Sequence, residues 1–249
     1  LNNPLASPNI IGVNAGAGLF AVLCCWLFPT AVGAVPLGAF LGALLATLLV
    51  YGISRKSGAS KITIVLAGVA VNSFLNAGID LVHTFSADAL LGGNTFRVGG
   101  LSGISMGVLL PACVLIGVAL LCALAMGNEL DILALGDDTA KSLGLSVKTF
   151  RFLLLLAAAC LAGASVSFAG LIGFVGLIVP HAARFLVGNE ARKLLPASAI
   201  LGAILLLLCD VLARVLFAPF EVPVGILLAV LGAPFFIWLL IKQRGGRTQ

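Results

Sequence analysis

The side chains able to do chemistry are few, and most stand inside apolar sequence. Asn72, Asn76, Asp80 and His83 recur at intervals of four, four and three residues, which places them within an arc of about 80° on a helix. Polar groups in an apolar helix are costly in lipid, so such a stripe faces protein or water. It lines a path for a polar solute, or it bonds across to neighbouring helices; the residues alone leave both open. Asp210 and Arg214 stand four apart with the carboxylate N-terminal, the favourable order for a helical ion pair. Either they neutralise each other at a membrane edge, or Arg214 is offered to an acidic partner. A third group is Asp131–Val147, D-I-L-A-L-G-D-D-T-A-K-S-L-G-L-S-V. It is amphipathic and too short and charged to span. Asp137 and Asp138 are expected to cap a short helix carrying Ala140, Lys141 and Leu143, punctuated by Gly136 and Gly144. Such a helix either docks a soluble subunit or is a solvated connector.

Other chemistry is missing from the sequence. There is no G-x-x-x-x-G-K-[ST] phosphate loop and no H-E-x-x-H, and no nucleophile elbow or cluster of His with carboxylates. No catalytic residue, metal site or cofactor is therefore assigned, and the chain is not expected to hydrolyse ATP itself. His83 and His181 are isolated and read as hydrogen-bonded structural residues. Cys24, Cys25, Cys113, Cys122, Cys160 and Cys209 show no metal-type spacing and read as small buried hydrophobes.

The elements that must position these groups follow from composition. Of 249 residues 61% are hydrophobic and 9% charged, and the mean hydropathy is +1.22. A chain this apolar cannot cover a water-facing surface, which excludes a soluble globular domain. Long continuous apolar runs exclude the alternation of a transmembrane barrel. The expected fold is all-α, a polytopic helical membrane protein. About eight segments have the length and character of spans: 12–28, 36–53, 62–85, 106–126, 149–168, 172–187, 195–215 and 223–241. Turn signals at Pro29–Pro36, Ser54–Ser60, Asn128–Ser146, Arg192–Pro196 and Pro219–Pro223 separate them. Residues 86–105 read as a non-apolar connection. Glycine-rich runs at Gly12–Gly18, Gly38–Gly42 and Gly163–Gly176 either provide small-residue faces for close helix packing or mark broken or mobile helices, Ala169–Gly176 being the best candidate for irregular backbone. No soluble domain is apparent; residues 1–249 read as one transmembrane domain.

The net charge of +5 reads as topogenic, with no nucleic-acid partner implied. Sorting loops by side puts twelve basic residues on one face: Arg55, Lys56, Lys61, Lys141, Lys148, Arg151, Arg184, Arg192, Lys193, Lys242, Arg244 and Arg247. Only Arg97 and Arg214 fall on the other. Basic loops stay in the cytoplasm, so both ends of the chain are expected there.

The run G-L-I-G-F-V-G-L-I-V-P-H-A-A-R-F (Gly170–Phe185) resembles the signature of the ABC importer permeases for iron–siderophore, haem and cobalamin, the FecCD family. Four further blocks agree in order: Asn3–Val13, Leu133–Leu145, Leu194–Ala203 and Glu221–Leu240. The resemblance covers essentially the whole chain. It implies a ten-helix fold of which this chain holds eight, lacking about the first two. It implies a permease of an ATP-driven type II importer in a bacterial inner membrane, carrying a metal chelate inward, ferric siderophores being the commonest cargo and haem or cobalamin the alternatives. It implies a second permease copy, two ATPase subunits and an extracytoplasmic substrate-binding protein as partners. Carried over by position, Leu135, Gly136, Asp137, Asp138, Ala140, Lys141 and Gly144 belong to the ATPase-coupling segment. Arg214 matches an outer arginine that pairs with the binding protein, and Arg97 stands in an outer stretch where the family more often has an apolar residue. The third span matches a pore-lining helix.

Two other classes compete. An ion-coupled secondary transporter places a carboxylate near the bilayer midplane, but Asp80 and Asp210, the acidic residues within spans, both lie toward outer ends. A scaffolding subunit would not need the polar stripe.

Overall fold

The computed structural model describes residues 11–31, 33–56, 61–216 and 218–245. The block Asn3–Val13 up to residue 10, residues 57–60 and Arg247 lie outside them. Among the described residues there are eleven helices and no strand: α1 (Val13–Leu27), α2 (Ala34–Lys56), α3 (Lys61–Phe85), α4 (Ala87–Val98), α5 (Met106–Ala125), α6 (Gly127–Ala134), α7 (Asp137–Ser142), α8 (Val147–Ala169), α9 (Val175–Val187), α10 (Ala191–Leu216) and α11 (Val224–Gly245). Every expected span is a helix. Five are long and apolar enough to cross a membrane: α2, α3 over Thr63–Phe85, α5, α8 and α10. Three apolar stretches are shorter: α1, α9 and the Val224–Phe235 part of α11.

α9 is short for a local reason. Gly170 has φ 70° and ends α8, whose orphan carbonyl at Val166 accepts the Gly170 N–H at 2.9 Å. Phe174 is held at φ 65°, a conformation that costs a residue with a Cβ. Helix resumes only at Val175, so the irregular backbone expected within Ala169–Gly176 is present and takes the first part of the sixth span.

Three expectations are corrected. Residues 86–105 are not simply a connection, because α4 occupies Ala87–Val98. Ser86 starts it by accepting the Ala89 N–H at 3.2 Å on its side-chain oxygen, the usual N-cap geometry. Arg192–Pro196 is not a turn. The Glu190 carbonyl accepts the N–H groups of Lys193 and Leu194 at 3.1 and 2.8 Å, so α10 starts at Ala191 and tolerates Pro196 in its second turn at the loss of one intrahelical bond. The cysteines are not uniformly buried: Cys209 is, whereas Cys113 and Cys122 are exposed on α5 and the rest are half-buried.

The chain divides into two compact units, Leu1–Arg97 with Gly103–Leu171, and Val98–Ser102 with Ile172–Gln249. The first is centred on small residues. Ala17, Ala21, Ala39 and Ala43 are fully buried where α1 crosses α2, and a Cβ on Gly16 would sit 2.5 Å from that of Ala46. Gly163 of α8 packs on the same helix, where a Cβ would lie 3.1 Å from Ala43 and 3.3 Å from the Phe40 ring. Close approach of this kind multiplies dispersion contacts, the force left to hold helices together in lipid. The second unit is built on Cys209, Val224 and Leu228. There Gly232 makes room for Phe174, and Gly225 abuts the Val98 carbonyl while donating its N–H to Gly99 at 3.3 Å. Large apolar side chains line the outer faces: Leu37, Leu41, Leu45 and Leu49 on α2, Ile204, Leu207 and Val211 on α10. Aliphatic surface of that extent suits hydrocarbon and not water.

Candidate functional site

Three groups of residues carry the polar chemistry. On α3 the four stripe residues do not behave alike. Asn76 and Asp80 are exposed, with Ser73 and Thr84 beside them, whereas Asn72 and His83 are half-buried. The open face of α3 thus has a small, polar half and a bulky half of Phe74, Leu81 and Phe85, all strongly exposed. The Thr84 hydroxyl donates to the Asp80 carbonyl at 2.8 Å and leaves the carboxylate outside that bond. His83 departs from expectation: its Nε2 is buried with no hydrogen-bond partner among the described residues, beneath α4, where a Cβ on Gly93 would come within 2.8 Å of it. His181 does behave as expected, its Nδ1 lying 3.1 Å from the Leu177 carbonyl.

The second group stands at the end of α10. Arg214 Nε donates to Asp210 Oδ2 at 2.8 Å and Nη2 to Oδ1 at 3.4 Å. Both side chains keep access to solvent, 44% and 22%. Ser102 donates to Glu221 Oε2 at 2.9 Å, which pins the Val98–Ser102 strap near the start of α11. No periodicity in the sequence signals this pair, 119 residues apart. Arg97 is exposed in the last turn of α4, where a cation meets the negative end of the helix dipole.

The third group is the α6–α7 segment. The cap of α7 is Gly136, φ 113°, so Asp137 and Asp138 do not cap the helix as expected. They occupy its first turn, where carboxylates offset the dipole, and each finds a cation. Asp138 takes Lys141 at 3.1 Å and Asp137 takes Arg151 Nη2 at 2.5 Å. Ala140 is fully buried, whereas Leu135 and Leu143 are 66% and 61% exposed. Gly144, φ 82°, closes the turn. In the sequence Arg151 reads only as a topogenic charge. Its signal was position, since a cation in the first turns of α8 opposes the dipole unless an anion answers it. Elsewhere, the Glu190 carboxylate is held below its ordinary range by its hydrogen bond from Lys193, an exposed pair at the start of α10.

No group of three or more His, Cys, Asp or Glu able to hold a metal occurs among the described residues. Apolar helices joined by small-residue crossings, one of them with an open polar face, define a multi-pass helical membrane protein. Residues 1–242 match the model of the FecCD transport family. The chain is 38% identical over 252 residues to the Hemin transport system permease protein HmuU of Yersinia pestis, covering 99% of this chain and 75% of that protein. It is 40% identical over 244 residues to the Fe(3+)-citrate import system permease protein YfmE of Bacillus subtilis, covering 96% and 72%. A solved structure of an ABC transporter assigned to the metal-chelate type, in an inward-facing conformation, superposes with a TM-score of 0.90 at 30% identity, covering 96% of this chain and 77% of that one. The chain belongs to the FecCD transport family. It is an ABC importer permease.

Proposed function

We propose that this chain is the membrane-spanning permease of an ATP-driven importer that carries a ferric siderophore inward across a bacterial cytoplasmic membrane, with both chain ends cytoplasmic. The observation that carries the reading is the family match over residues 1–242 joined to relatives that are permeases for iron-containing cargo. Residues 1–249 act as one permease domain, paired with a second copy, two ATPase subunits and an extracytoplasmic binding protein. The α6–α7 segment presents Leu135 and Leu143 to the ATPase. Arg214, and with it Arg97, meets carboxylates of the binding protein. The open face of α3, with Asn76 and Asp80, lines the path, and Asn72 and His83 stand half-buried at its edge.

Haem is kept as a second cargo because identity to the haemin permease, 38%, is nearly that to the ferric-citrate permease, 40%. The deciding experiment expresses the permease with its ATPase and binding protein in a host lacking its own chelate importers. Radio-iron as siderophore complexes, haem and labelled cobalamin are offered in turn. Energy-dependent accumulation of iron–siderophore is expected; uptake of haem or cobalamin alone replaces the cargo, and uptake of none refutes the importer.

A further inference from the structure

We propose that Arg151 is a positioning residue that fastens the short helix α7 to the transmembrane helix α8, so that displacement of α7 reaches the spans as motion of a block. The inference rests on the reading of α6–α7 as the ATPase dock.

The need for a fastening comes from the joints. α7 has only six residues and hangs between Gly136 (φ 113°) and Gly144 (φ 82°). Nothing lies within 4 Å of the Cβ position at either glycine, so neither joint is braced by packing. A push on the exposed Leu135 and Leu143 would be spent in rotation at such joints. The Gly144 side is bridged by the Leu145 N–H, which donates to the Ala140 carbonyl at 3.0 Å. The far end of α7 is tied to α8 as well, by Asp137 and Arg151, 14 residues apart and bonded at 2.5 Å, so the Gly144 joint is spanned twice.

This pair differs from its neighbour. Asp138 and Lys141 are 98% and 63% exposed and lie within one turn, so they brace nothing beyond α7. Asp137 and Arg151 are 38% and 22% exposed and join two helices. Shielding from water strengthens such a bond. The next residue on α8, Phe152, meets Tyr51 of α2 in a tilted ring contact, 5.2 Å between centroids. Higher on the same two helices Gly163 packs on Ala43 and Phe40. A force entering at Asp137 therefore arrives at the root of a helix already locked to its neighbour.

The test uses the complete importer in liposomes and reads ATP hydrolysed per chelate delivered. For Arg151→Gln, uptake falls about tenfold, within the usual range of coupling free energies between sites. The ATPase still co-purifies and still turns over, so the ratio of ATP to cargo rises. Arg151→Lys lies between the two. A wild-type ratio in Arg151→Gln overturns the proposal, and so does loss of the ATPase from the complex, which would make Arg151 part of the dock. Should Arg151→Gln not reach the membrane, Arg151→Met is read by the same ratio and the same two outcomes. Leu135→Asp with Leu143→Asp tests the underlying reading separately: an ATPase that still co-purifies with that variant places the dock elsewhere, whatever Arg151 does.

Discussion

Gly42→Ala is the sharpest test of how the first unit is held together. The new Cβ would lie 2.7 Å from Phe20 Cβ and 2.8 Å from Phe20 Cγ, and closer still to the Gly16 carbonyl oxygen. Ordinary contact begins at 3.4 Å, so α1 must retreat from α2 by more than about half an ångström, and its backbone cannot turn aside as a flexible side chain would. Overpacking of this kind costs about 1–3 kcal/mol, which for a chain of this length lowers the melting temperature by about 2–12 °C. Gly52 lies on the same helix with nothing within 4 Å of its Cβ position. Gly52→Ala should therefore melt at or slightly above wild type, since alanine is the better helix former by about 0.5–1 kcal/mol. The assay is thermal unfolding of the two purified variants and wild type in one detergent, followed by circular dichroism. If Gly42→Ala melts with Gly52→Ala, the helices do not touch through their backbones at this point, and the account of the small-residue crossing fails.

Two further outcomes are expected. Arg214→Glu should lower uptake from the loaded binding protein about tenfold and flatten its dependence on ionic strength, because exposed interface charges act mainly on encounter; Asp210→Ala, which frees Arg214, should leave Arg214-dependent uptake intact, and equal losses in both would mean that the helical pair is only structural. Asn76→Leu should reduce uptake while shifting stability by less than about 0.5 kcal/mol, as an exposed substitution does; a clear fall in melting temperature with transport preserved would show that Asn76 bonds to another helix instead of lining a path.

How much was legible in the sequence depended on the range of each interaction. Helix identity is written locally in apolar runs, and all eight expected spans are helices. Ser86 announces α4 as a cap before a helix, yet α4 is too short to read as a span and half of its twelve residues are polar or glycine. Local ion pairs at spacings of three and four, Asp138–Lys141 and Asp210–Arg214, follow from helical geometry once the helix is granted. Asp137–Arg151 and Ser102–Glu221 do not, because they depend on how a turn folds back and on where a strap is pinned. Proline misled at Pro196, where a helix already started by Glu190 absorbs one lost bond. The α3 stripe was right as a spacing and incomplete as a face. Its arc fixes which residues are neighbours, but only packing decides which side of that arc is covered, and here Asn76 and Asp80 stand on the open side while Asn72 and His83 do not.

The distribution of charge supports reading that open side as wetted. The ion pairs Asp138–Lys141, Asp137–Arg151, Glu190–Lys193 and Asp210–Arg214 lie at helix ends or in the α6–α7 segment, where water and headgroups are near. Asp80 belongs to none of them and is exposed within a span. A charged side chain at the centre of a span costs at least about 2.5 kcal/mol, and the cost falls toward a span end, where Asp80 lies. Water, headgroups, a polar cargo or the polar surface of a second subunit suit this face better than hydrocarbon does. The face is also modest in what it offers: one carboxylate, one amide and two hydroxyls. On the proposed function such a surface would hydrate a large chelate without holding it, which is what a path must do if cargo is to leave as readily as it enters. Under the proposed function, selection among chelates falls to the binding protein, in keeping with identities of 38% to a haemin permease and 40% to a ferric-citrate permease.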